Sequence, residues 1–138
     1  MPVVRPIERI VALLNGVAIV FITVPIWRSV AASQPIWPFP AWYFIELVAV
    51  GVLGAAAFWF GAPFRTVAAW AAAGIFAAFV VLGAFSVGLA YLVPALLFLA
   101  LAIVAVAPYP RRILAHLGVF LAAAAAQTAI MFAFAGLF

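Results

Sequence analysis

Few side chains in this sequence can do chemistry, so their depth along the chain matters more than their number. Of the two acids, Glu8 stands at the very start of the first apolar run and Glu46 is the one set deeper inside a run long enough to cross a bilayer. It lies about 7–8 Å below the start of that run, at about 1.5 Å of rise per residue. A carboxylate at that depth is costly unless it is paired, protonated or reached by water. It is therefore a candidate for a proton- or cation-responsive site. The plainer expectation is an ion pair with Arg28, which ends the preceding apolar run on the same side.

The same rise places other polar residues at the level of Glu46. Thr23 lies about 24 Å along the first run, and Gln127 and Thr128 about 21–23 Å along the last. Glu46, Gln127, Thr23 and Thr128 thus form a candidate polar intramembrane site in the outer half, with Ser86 and Tyr91 nearer the surface. The competing expectation is a set of separate interhelical hydrogen bonds, each contributing about 0.6–2 kcal/mol. Asn15, about 12 Å along the first run, has no companion at matching depth. It reads as a helix-association contact, with a bond to another subunit favoured. His116 follows Arg112 by one helical turn and reads as a headgroup contact.

What is missing closes most enzyme classes. The chain has no Cys, no Lys and no Asp, one His and two Glu. Without Cys there are no disulfides, thiolate metal sites or redox dithiols. One His leaves no haem, zinc or copper ligand set within one chain. No Lys excludes a Schiff base or a Walker-type phosphate loop. No Asp leaves Glu as the only acid for a Ser-His triad, among three scattered Ser. The expectation is a protein that is not an enzyme and carries no cofactor and no metal.

These residues must be positioned by membrane helices. Of 138 residues, 73% are hydrophobic and 6% charged, with a mean hydropathy of +1.48. Soluble domains are about 45–50% apolar and about 25% charged. A chain this apolar satisfies its backbone internally within lipid, as helices. Spans of about 20 residues fit residues 7–27, 41–60, 66–85, 89–107 and 113–136. The 42 residues from Thr66 to Ala107 are too long for one crossing, and the break falls at Ser86-Val87-Gly88. The predicted fold class is all-α: a single polytopic bundle of five transmembrane helices, with four spans as the alternative.

The charges set an orientation. Arg and Lys collect in cytoplasmic loops near helix ends. Five spans with a cytoplasmic N-terminus put Arg5, Arg9, Arg65, Arg111 and Arg112 inside as topology anchors, and only Arg28 outside. Four spans would divide Arg65 from the Arg111-Arg112 pair. Trp27, Trp37, Trp42 and Tyr43 gather at the proposed outer face and Trp59, Trp70 and Tyr109 at the inner one, as interfacial rings do. The isoelectric point near 10.8 therefore reports membrane orientation and implies no nucleic-acid partner. Arg5 and Arg9 before an apolar run ending near Val30-Ala31-Ala32 resemble a signal peptide. That run is too long for an ordinary h-region and reads as a span.

Small residues carry the packing signal. Gly51, Gly54 and Ala55–Ala57 mark the second helix, Ala71–Ala73, Gly74, Ala77 and Ala78 the third, and Ala122–Ala126 the fifth. Such residues let helix backbones approach closely, so Gly51, Gly54 and Gly74, with Asn15, are the helix-association candidates. The connection from Arg28 to Pro40, with Ile36, Trp37 and Phe39 between prolines, reads as an interfacial loop or partner-binding strap. The leading expectation is a small non-catalytic subunit or scaffold of a bacterial inner membrane, acting by helix packing as a homo-oligomer or with other membrane subunits. A small transporter or channel using the Glu46 site is the alternative.

Overall fold

The computed structural model describes residues 5–38 and 40–137, and the fold is all-helical. The helices are α1 (Pro6–Ser33), α2 (Ala41–Ala56), α3 (Ala62–Leu82), α4 (Leu92–Val106) and α5 (Ile113–Leu137). Short 3-10 turns at Ala57–Trp59, Gly88–Tyr91 and Pro110–Arg112 adjoin α2, α4 and α5. Each helix, counted with its adjoining turn, is long and apolar enough to cross a membrane.

Prolines and glycines set the boundaries. α1 runs past Trp27 to Ser33, where the Ser33 hydroxyl donates to the Val30 carbonyl at 3.0 Å. Pro35 stops it, since the residue before a proline is driven out of the helical region, and Gln34 is extended. The connection expected over residues 28–40 therefore shortens to 34–40; its Phe39 lies outside the described residues. α3 starts four residues earlier than expected, because Pro63 in its first turn favours helix initiation. It ends at Gly83, whose amide closes on the Phe79 carbonyl at 2.8 Å. Gly88 folds back onto Gly83 so tightly that a Cβ there would lie 2.5 Å from the Gly83 carbonyl carbon. Two glycines thus make the break that one crossing could not span.

Successive helices run antiparallel. Along the α1–α2 pair, Arg9 bonds to Phe58, Gly16 meets Ala55, and Trp27 packs on Phe44. α1 to α4 close into a ring in which α1 and α3 each pack on both α2 and α4. The ring is filled by Ile19, Leu47, Phe58, Phe76, Tyr91 and Phe98, all buried. Phe76 stacks on Phe98 with centroids 5.6 Å apart, and Tyr91 meets Phe79 edge-on at 5.4 Å. α5 lies outside the ring, chiefly on α3. One end of the bundle, here the arginine end, carries Arg5, Arg9, Arg65, Arg111 and Arg112. The other, the loop end, carries residues 34–40, the 83–88 turn and Arg28.

Candidate functional site

Of the four residues expected to share one pocket, Glu46 and Gln127 meet, Thr23 bonds elsewhere and Thr128 joins neither contact. On α2, Glu46 is half-buried and accepts a hydrogen bond from Gln127 Nε2 of α5 at 3.1 Å. Gln127 itself is almost wholly buried. One turn closer to the loop end, the Tyr43 hydroxyl donates to the Met131 carbonyl at 3.1 Å, so the same two helices meet twice. A recess of about 280 Å3 lies beside Glu46, walled by Trp42, Tyr43, Ile45, Ile130 and Phe134. Glu46 supplies the single carboxylate of that recess. Such a group can exchange one proton or pair with one cation.

Thr23 is engaged elsewhere. It is buried in the ring, where its hydroxyl lies 2.6 Å from the Ile19 carbonyl and 2.8 Å from the hydroxyl of Tyr91. Thr128, next to Gln127 but turned about 100° around α5, is half-buried and does not join Glu46. Equal depth brought Glu46 and Gln127 together; the azimuth of each helix kept Thr23 and Thr128 away.

The ion pair expected between Arg28 and Glu46 does not form. Arg28 is exposed and stands with Phe44 and Ile45 on one side of α2. Glu46 is rotated about 100° from Ile45, toward α5. Asn15 also departs from expectation, because its partner is within the chain. Its Nδ2 donates to the Pro94 carbonyl of α4 at 3.2 Å, and the side chain is fully buried. A helix-association contact needed no second subunit here. Ser86 closes its own turn on the Gly83 carbonyl at 3.1 Å.

Gly51, Gly54 and Gly74 each stand at a helix–helix contact. A Cβ on Gly51 would lie 2.7 Å from Ile19 Cδ1 of α1. On Gly54 it would meet Phe98 of α4 and Ala72 of α3 at 3.0 and 3.2 Å. On Gly74 it would run into the backbone oxygen of Phe120 in α5.

The topology anchors divide. Arg5, Arg111 and Arg112 are exposed, with the Arg112 guanidinium 5.7 Å from the Tyr109 ring centroid. Arg9 is exposed yet donates from Nε to the Phe58 carbonyl at 3.3 Å. Arg65 is the exception, at 2% exposure. The early start of α3 places it in the first turn, in phase with Ala69, Ala72 and Phe76 on the buried face. His116 likewise is no free headgroup contact: its ring stacks on Trp70, with centroids 6.5 Å apart and planes 10° apart.

One feature of α1 escaped the sequence reading. Glu8, Asn15 and Thr23 are all buried on one face, seven and eight residues apart. That heptad-like spacing was the signal available for it. Among the described residues, Glu8 Oε2, Asn15 Oδ1, Arg65 Nε and Nη1, and Trp70 Nε1 are buried without a hydrogen-bond partner. Comparison with protein-family models, characterised proteins and solved structures finds no match to this chain.

Proposed function

We propose that this is a small non-catalytic integral membrane protein that works through helix packing, with α5 as its docking helix. One observation carries the reading: α5 has two unlike sides. Its inward side consists of His116, Phe120, Ala123, Gln127, Met131 and Phe134, each of which touches α2 or α3. On the opposite side stand Gly118, Ala122, Ala125, Ala129, Ala133 and Gly136, all exposed. A Cβ placed on Gly118 or Gly136 would meet nothing within 4 Å.

That strip spans the 19 residues from Gly118 to Gly136, about 27 Å of helix, close to the roughly 30 Å hydrocarbon core. In lipid no hydrophobic force separates helix from acyl chain, so association depends on close backbone approach, which small residues permit. Small-residue strips pair with copies of themselves, and a two-fold axis along the membrane normal would set two α5 helices side by side. A second copy of the chain is therefore the occupant we assign.

Two further points belong to this reading. The exposed cations Arg5, Arg9, Arg111 and Arg112 support a cytoplasmic arginine end, with the C-terminus outside. The non-catalytic character is supported by the engagement of Glu46 with Gln127, Thr23 with Tyr91 and Asn15 with the Pro94 carbonyl, while Glu8 and Arg65 keep buried atoms without a partner.

Native mass analysis in several mild detergents tests the proposal. A dimer is expected, and Ala125→Leu with Ala129→Leu should convert it to monomer without lowering thermal stability. A monodisperse monomer of the unmodified chain in every detergent would overturn it. A defined complex with another membrane subunit would keep the packing role and replace the second copy.

A further inference from the structure

A groove of about 640 Å3 runs between α1 and α2 on the outer surface of the bundle. Its α1 wall comprises Thr23, Val24, Trp27 and Arg28, and its α2 wall extends from Phe44 to Leu53. The ten residues from Phe44 to Leu53 correspond to about 14 Å along the helix axis, so the groove enters the apolar zone lengthwise from the loop end. Its walls offer almost nothing polar. The Thr23 hydroxyl is already engaged with Tyr91 and the Ile19 carbonyl. Arg28 is the single charged residue of the lining, exposed and on the loop-end side.

The placement of Arg28 selects the occupant. An acid was close at hand in Glu46, yet Glu46 bonds to Gln127 and faces a different recess. Among the described residues Arg28 forms no ion pair. An apolar channel with one unpaired guanidinium at its interfacial end matches an acyl chain joined to a phosphate. A guanidinium pairs with phosphate through charge-assisted, often bidentate hydrogen bonds. The groove between α1 and α4 at the arginine end, about 290 Å3, lacks this match because Glu8 lies beside Arg5 in its lining. We infer that the α1–α2 groove binds one anionic glycerophospholipid of the leaflet at the loop end, with an acyl chain along Val24, Val48 and Val52 and the phosphate on Arg28.

The test is native mass spectrometry of the intact chain with added phosphatidylglycerol, phosphatidylcholine or inorganic phosphate. One phosphatidylglycerol per chain is expected to stay bound, with phosphatidylcholine held more weakly and inorganic phosphate not competing. Arg28→Gln should weaken retention by about tenfold, the loss of one charge-assisted contact. Ala49→Phe fills the groove from an exposed position and should abolish retention; circular dichroism and thermal melting check that both variants fold. Arg5→Gln, at the other end, should leave retention unchanged. Equal retention in wild type, Arg28→Gln and Ala49→Phe would overturn the inference, as would equal binding of phosphatidylcholine or displacement by free phosphate. A dimer lost on Ala49→Phe with lipid retention intact would place a second copy in the groove and also overturn it.

Discussion

α3 and α5 are made of nearly the same material and occupy opposite situations. Both are alanine-rich, similarly apolar and long enough to cross a bilayer. Yet 61% of the α3 apolar window is buried, against 6% of that of α5. α3 packs on α2, α4 and α5, whereas α5 rests mainly on α3. In water the more apolar helix would move inward. In lipid that sorting force is absent, and what decides is how small and large side chains are arranged around each helix. α3 presents Ala72 toward α2 and Gly74 toward α5, and places Phe76 in the ring. α5 places its large contacts on one side and carries a strip of small residues on the other, flanked by exposed Leu114, Leu121 and Phe132.

The contrast can be broken at three strengths. Phe98→Ala removes the ring that fills the space between Gly54 and Phe76. It should cost about 3–5 kcal/mol, read as a large fall in the thermal midpoint in detergent. A fall no greater than that of Phe132→Ala, on the exposed surface of α5, would mean the α1–α4 ring is not where stability resides. Gly74→Val acts at the seam itself, because any Cβ there meets the Phe120 carbonyl. About 1–3 kcal/mol of overpacking is expected, and it should fall on α5. Hydrogen exchange should quicken in α5 amides while those of α1 and α2 stay protected; uniform quickening would show that α5 is integral to the ring. The smallest effect should come from Gln127→Leu, which deletes the donor to Glu46 at a cost of about 0.6–2 kcal/mol. Glu46→Gln keeps an acceptor oxygen and should cost less on the same melting measurement. A larger loss for Glu46→Gln would show that the charge itself holds α2 to α5.

Much of the frame was legible in one dimension, for reasons particular residues make plain. Pro35, Pro63 and Gly88 act locally, so the helix count and a break near Gly88 followed from the chain alone. The exact ends did not: α1 ends at Ser33 where Trp27 was expected, and α3 at Leu82 where Phe85 was expected. Depth is also linear: a fixed rise per residue put Glu46 and Gln127 at one level, and they meet. Azimuth is not linear in this sense. A start of α3 at Ala62 in place of Thr66 turned Arg65 from a surface anchor into a buried residue. The rotation of α2 gave Glu46 to Gln127 and left Arg28 alone. Asn15 lacked a companion at its depth because its acceptor is a backbone carbonyl, which no residue type announces.

The sequence by itself determined that the chain forms five helices apolar enough for a membrane, where most of them stop, and which polar residues share a level. Those properties depend on composition, on the conformational limits of proline and glycine and on the helical rise, all of which act within a few residues. Only the tertiary structure decided which helix became the hub and which the outlier, and which polar side chains found partners. Helices of similar apolarity differ little in their affinity for lipid, so contacts between residues far apart in sequence made that choice.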